Sequence, residues 1–250
     1  MLPSKNGGGQ CIDLASKLSE GGPGMQASIK GIKTEFESGT PYSREDGDND
    51  LNFYQKPRML PHLDTQAQAE LEGLYGQLLT KSNRILDLMS SWQSHLPQNL
   101  DTSKVVGLGM NSEELSLNPR LDQSLVHDLN ENPELPFEDG NFDAVICSLS
   151  IEYLLQPVKV LEEARRILVP GGLLLITFSN RWFPPKVIRI WTELQEFERT
   201  GMVMQWLKEA SGFRSLETSS LRELPRPWDD RYRKLSPFSD PIYAVWGYKK

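Results

Sequence analysis

Between Arg84 and Asn180 the chain repeats one pattern: a short apolar run, a loop, then a segment of helical length. The runs are Arg84–Met89 (RILDLM), Lys104–Leu108 (KVVGL), Ser124–Asp128, Phe142–Ser148 (FDAVICS) and Leu173–Phe178 (LLLITF). Most lack the apolar-polar alternation of a strand with one wet face, so they read as strands covered on both faces. Parallel strands need crossovers of a dozen residues or more, and helices supply them. Pro157 to Leu168 is such a helix, with Val160, Leu161, Ala164, Ile167 and Leu168 on one face and Pro170-Gly171-Gly172 as its stop signal. The pattern predicts an α/β fold, a doubly wound and mostly parallel sheet.

The flanks extend this reading. Behind Asp64 or Thr65 as a cap, Leu71, Leu74, Tyr75, Leu78 and Leu79 share a helix face. After Asn180 the sequence predicts a helical region from Pro185 to Thr200, a second from Met202 to Ala210 and a strand over Phe213–Thr218. A polar stretch from Leu221 to Ser239 follows, rich in arginine and proline and suited to an acceptor lid or partner surface, and the chain ends on an alternating strand, Ile242–Tyr248. Residues 1–50 hold nine of the 19 glycines and the acidic run Glu45-Asp46-Gly47-Asp48-Asn49-Asp50, with no apolar periodicity. Such a stretch buries too little surface to offset its ordering entropy, so a disordered tail or removable leader over 1–50 and a single domain over 51–250 are expected.

Composition excludes several classes. At 250 residues and 38% hydrophobic content there is material for one sizeable core. A net charge of -7 gives no field attractive to a phosphate backbone, so nucleic acid is not an expected partner. Two cysteines, Cys11 and Cys147, build neither a disulfide framework nor a metal site. No stretch reaches 18 consecutive apolar residues and the first 20 hold no apolar signal core. A soluble, intracellular protein is expected, cytoplasmic in the first instance and with no membrane partner. Four lysines against two acids in the first 33 residues leave plastid or mitochondrial import open.

An Ile85-Leu86-Asp87-Leu88 strand, a Val106-Gly107 step and Asp128 about twenty residues later form one half of a larger signature. Leu135-Pro136-Phe137, Phe142-Asp143-Ala144-Val145 and Leu161-Glu162-Glu163-Ala164-Arg165-Arg166-Ile167-Leu168-Val169-Pro170-Gly171-Gly172 form the other. Together, over residues 66–180, they resemble class I methyltransferases of the small-molecule type that use S-adenosylmethionine. The resemblance implies a Rossmann-like sheet of seven strands with the last antiparallel, and a cofactor across the carboxyl ends of the first strands. It places Asp87, Met89, Asp128, Leu129 and Cys147 around that cofactor, with Asp128 at the adenine amino group.

Two departures stand beside the match. Where relatives carry a glycine-rich turn after the first strand, this chain has Met89-Ser90-Ser91-Trp92-Gln93, which lacks the residue suited to positive φ and close ligand approach. Where relatives place a ribose-binding acid, this chain has Gly109, with Asn111 as a substitute acceptor. Ser90 and Ser91 are small enough to keep clearance and offer hydroxyls. Asn52–Arg58 joins aromatic and cationic groups ahead of the domain and suits a lid, with Tyr54 stacking and Arg58 pairing the methionyl carboxylate. His95, beyond the altered loop, is the candidate base, and His62 and His127 read as structural. Asn180, Arg181, Trp182 and Lys186 follow the fifth strand and suit an anionic or carbonyl-bearing acceptor. Two readings stay open: a working methyltransferase with a small-molecule acceptor, or a non-catalytic scaffold of the same fold. A nucleotide-linked oxidoreductase ranks third, for want of the same glycine turn.

Overall fold

A computed structural model describes residues 40–79 and 84–250. One sheet holds β1 (Arg84–Ser90), β2 (Lys104–Gly109), β3 (Gln123–Val126), β4 (Phe142–Ser148), β5 (Leu168–Phe178), β6 (Phe213–Leu221) and β7 (Ile242–Lys249). Their spatial order is β3-β2-β1-β4-β5-β7-β6. The first five run parallel, and β7 pairs antiparallel with both β5 and β6. This is the doubly wound, mostly parallel sheet that the apolar runs predict. Successive residues of the central strands are buried on both faces: Ile85, Ala144 and Leu173 on one, Leu86, Val145 and Leu174 on the other.

Helices cover those faces. They are α1 (Asp50–Tyr54), α2 (Thr65–Leu78), α3 (Ser112–Ser116), α4 (Pro157–Ile167), α5 (Arg189–Glu193) and α6 (Glu196–Ala210). The α2 cap is Asp64, whose carboxylate accepts from Ala67 N at 3.0 Å. Leu71 and Tyr75 of α2 then enter a core with Ile85, Ala144, Leu175 and Trp246. Each fully buried side chain of this size contributes about 1.5–3 kcal/mol. On α4 the buried residues are Val160, Leu161, Ala164 and Ile167, as their spacing predicts.

Three expectations shift. Pro170-Gly171-Gly172 does not form a loop after α4; the helix ends at Ile167 and β5 starts at Leu168, with the three residues absorbed in a bulge of β5 opposite Phe142 and Ala144 of β4. Gly171, at φ +78, takes the conformation that other residues adopt only with strain. Downstream, the division at Thr200 to Met202 is absent: α6 runs unbroken through Gly201, opened by a capping box between Gln195 and Glu198. An exposed helical glycine costs roughly 1 kcal/mol, less than the burial of Val203, Trp206 and Leu207 returns.

The third shift concerns the acidic run. Residues 1–39 lie outside the described residues, but 40–50 form a strap on the domain. Lys186 is fully enclosed, and its Nζ reaches Asp46 Oδ2 at 3.0 Å, the Asp48 carbonyl at 2.8 Å and Asp50 Oδ1 at 3.1 Å. Arg44 donates to both oxygens of Asp50 at 2.8 and 2.9 Å. Backbone bonds from Arg189 N to Ser43 O and from Ile190 N to Pro41 O tie the strap to the start of α5. Charge pairing replaces the apolar periodicity that the stretch lacks.

Candidate active site

The carboxyl end of β1 sets the geometry of the site. Its pairing with β2 shifts register between Leu88 and Ser90, so Met89 is an extra residue, held at φ +58. The bulge turns the Ser90 carbonyl toward β2, and a Cβ on Gly109 would lie 2.1 Å from that oxygen. The missing glycine turn and the missing acid at the end of β2 are therefore one structural event: the bulge of β1 demands glycine opposite it. Met89 takes the left-handed conformation at a cost of about 1–2 kcal/mol. His95 at φ +55 and Leu149 at φ +53 do the same, and all three line one crevice. Strain of this kind gathers where a site must hold its shape.

The crevice opens at the carboxyl ends of β1, β2 and β4. Of the sequence-predicted residues, Tyr54, Arg58, Asp87, Met89, Ser90, Ser91, His95, Asn111, Asp128 and Leu129 line it. Trp92 stands outside the lining, and Cys147 is enclosed in β4 between Leu88 and Ile176. Asn111 spends its amide oxygen capping α3, accepting from Glu113 N and Glu114 N, and its amide nitrogen on the carbonyls of Tyr54 and Gln55.

Asp128 is differently placed. Its Oδ1 accepts from Asn130 N at 2.9 Å, closing the turn after β3, whereas its buried Oδ2 has no partner among the described residues. A buried acceptor left unpaired costs about 1–3 kcal/mol, and a ligand donor would recover it. Asp87, in the middle of β1, accepts from Ser90 Oγ and Ser94 Oγ, both at 2.6 Å. Burial pushes its carboxyl up to about 7, against those two hydrogen bonds.

Sequence reasoning passed over Glu114, on α3. One oxygen accepts from Ser91 Oγ at 2.5 Å and the other from Arg58 N at 2.7 Å, which leaves each a second lone pair, and the residue lines the crevice. Its spacing from Gly109 gave no signal, because only the bulge brings it to the loop after β1. The strap closes the opposite side. Asp50 is tied to Asn130 Nδ2 at 2.8 Å, and Arg58 lies 4.2 Å from the Phe53 ring centroid and 5.4 Å from that of Phe183. Arg58 makes no ion pair among the described residues, so its charge is open to an anionic group.

All three histidines line the crevice, not His95 alone. The Nδ1 of His95 is buried without a partner, and burial, then the neighbouring His62, drives its pKa down to about 4. It is a neutral imidazole at ordinary pH. His62 is lowered as well, by burial first. His127 Nε2 lies 2.8 Å from the Asn132 carbonyl.

The four residues predicted for the acceptor separate. Arg181 lines a second cavity, with its Nε 2.9 Å from Asp240. Asn180 is exposed, Trp182 packs 4.5 Å from the Arg199 guanidinium, and Lys186 is consumed by the strap, so none of these three lines either cavity. The reason for Lys186 is electrostatic: three aspartate-run oxygens compete for it first. Among the described residues no cluster of histidine, cysteine and acids could hold a metal, and no helix is long and apolar enough to cross a membrane.

The strand order, the antiparallel β7 and a crevice over β1, β2 and β4 now coincide with a family model described as a methyltransferase domain, which matches residues 91–176. The chain has a class I methyltransferase fold. A methyltransferase structure from Thermotoga maritima superposes with a TM-score of 0.54 at 17% identity, covering 73% of this chain and 89% of that one. A structure of the [4+2]-cyclase SpnF superposes with a TM-score of 0.53 at 16% identity, covering 79% and 90%. Among curated proteins, malonyl-[acyl-carrier protein] O-methyltransferase of Marinomonas sp. (strain MWYL1) is 25% identical over 186 residues, 67% of this chain and 66% of the relative. The match therefore spans just under two thirds of that relative. As the cyclase illustrates, a methyltransferase fold alone does not fix the reaction.

Proposed function

We propose that the chain is an S-adenosylmethionine-dependent methyltransferase acting on a small organic acceptor. The observation that supports this reading is the buried Oδ2 of Asp128, unpartnered among the described residues, in a crevice at the carboxyl ends of the strands, where open α/β sheets bind ligands. The residues present fit the cofactor. Asp128 would accept from the adenine amino group, Glu114 from the ribose hydroxyls, and Arg58 would pair the methionyl carboxylate, with Tyr54 against it. Met89 at positive φ keeps the bend that glycine supplies elsewhere, which favours a working site over a non-catalytic scaffold.

When bound, the cofactor supplies a methyl group on a sulfonium, and in-line transfer asks the protein mainly for position and exclusion of water. The strap serves both ends: Tyr54 and Arg58 wall the crevice while Asp50 is pinned to Asn130. His95 is neutral and its Nδ1 has no partner among the described residues, but burial leaves it too weak a base to be the proton's destination, so its part is to hydrogen-bond and orient the acceptor. The test is formation of S-adenosylhomocysteine when the full chain is incubated with S-adenosylmethionine and a fractionated pool of cellular small molecules. The reading predicts release in at least one fraction, reduced in His95→Gln. Release that never exceeds the protein-free control contradicts it.

A further inference from the structure

Beside the crevice lies a second cavity, of about 830 Å³ counted with its mouth, between residues 60–65 and 227–232. One residue, His62, lines both. The polar stretch after β6, which reads in the sequence as a lid or partner surface, builds the far wall. It is not a free loop: Pro225 bridges to Phe238, and the enclosed Arg226 donates to Asp240 Oδ1 at 2.6 Å and to the Phe238 carbonyl at 2.9 Å. Asp240 and Ser239 in turn bond Asp64, the cap of α2. The wall is thus fixed to Asp64, two residues after His62.

Its chemistry is directional. The Tyr232 ring lies between two guanidinium groups, Arg181 at 4.8 Å and Arg231 at 4.6 Å from its centroid. Arg181 is paired with Asp240, and Asp230 is neutralised by Arg226 at 3.2 Å and by the Tyr232 N–H. Arg231 and Asp229 both line the cavity, both are exposed, and neither has an ion pair among the described residues. The Tyr232 ring, Leu60 and His62 complete the lining, and the Arg231 guanidinium stacked on that ring is the group able to hold an anion.

We propose that this second cavity is the site of the methyl acceptor, a small molecule whose carboxylate or phosphate rests on Arg231 and whose reacting O–H, N–H or S–H is turned toward His62. This rests on the methyltransferase reading above. The electron pair of the acceptor atom forms the new bond to the methyl carbon, the carbon–sulfur bond breaks with its pair going to sulfur, and the acceptor proton passes to His62. Burial, together with Arg181 and Arg58 and against Glu114, keeps His62 neutral enough to receive it. The open mouth of the second cavity then returns the proton to water.

The chain has only three histidines, so nitrogen-15 histidine labelling of the full protein gives three imidazole signal sets, assigned by His62→Gln and its equivalents. Benzoate and phenyl phosphate serve as anionic probes and benzamide as the uncharged control, each with and without S-adenosylhomocysteine. The proposal predicts that at least one anion shifts His62 and leaves His127 unmoved, that benzamide is weaker, and that Arg231→Ala raises the anion's Kd about tenfold or more. Lys234→Ala, a cation of the same loop outside the cavity, should leave the response intact. The proposal is overturned if neither anion moves His62, if benzamide matches them, or if Arg231→Ala binds like the wild type. Absence of any S-adenosylhomocysteine response would instead count against the cofactor reading, since the anion arms without it still report on the second cavity.

Discussion

At the scale of single residues, the site is defined by groups whose bonding is incomplete. Asp128 Oδ2 and His95 Nδ1 are buried without partners, whereas Asn111, the acceptor that sequence reasoning nominates for the ribose, has its hydrogen-bonding atoms engaged. Asp128→Asn separates binding from folding. The amide oxygen can still accept from Asn130 N, while an NH2 replaces the free oxygen and opposes the adenine amino group. The expected result is an unchanged melting temperature and a loss of S-adenosylhomocysteine affinity of about 1.5–3 kcal/mol, measured by calorimetry. Equal losses of stability and affinity would assign Asp128 to the turn alone. Asp128 was legible in the sequence only through the family resemblance, since its place after a strand fits a turn-closing acid equally well. Glu114 was not, since its approach to Ser91 depends on a bulge that no periodicity announces.

At the scale of elements, the strap and the polar loop after β6 show where patterning fails. The sequence pattern located all seven strands and the two helices flanking the central strands; burial decides the central ones, whereas β3 is exposed along its length and was found by its place in the repeat. The acidic run has none, and its order comes from pairing with Lys186, 136 residues away from Asp50 in the chain. Lys186→Met leaves the carboxylates of Asp46 and Asp50 short of their cation. Lys186 and Asp50 are buried, whereas Asp46 is partly exposed and Asp50 keeps Arg44, so the variant should lose stability mainly through the Lys186–Asp50 pair. Because the strap carries Tyr54 and Arg58 into the crevice, the variant should also bind S-adenosylhomocysteine more weakly than its loss of stability alone explains. Proteolysis at residues 40–58 reads the first effect and calorimetry the second. A variant with a resistant strap and full affinity would contradict the coupling.

For the whole molecule, two enclosed carboxyls set the response to alkaline pH. Burial raises Asp87 to about 7 and Glu152, whose side-chain oxygens have no hydrogen-bond partner among the described residues, to about 8. Both stay protonated in the fold where the unfolded chain releases the proton. The folded state therefore binds more protons, and stability falls as pH rises through that window. His95 and His62, lowered by burial, act in the opposite sense, but only below the ordinary histidine range near 6.5. From pH 6.5 to about 8 the carboxyls act alone, and Glu152 contributes roughly 2 kcal/mol of the decline. Glu152→Gln should flatten the melting temperature over that interval; a decline as steep as the wild type's would refute the assignment. The central claim is that the bulged, glycine-free end of β1 still leaves a crevice that holds an adenosyl sulfonium. Isothermal calorimetry of the full chain with S-adenosylhomocysteine tests it most directly. One-to-one binding with a Kd below about 100 µM is the predicted result, and a folded protein that gives no binding at about millimolar ligand would contradict it.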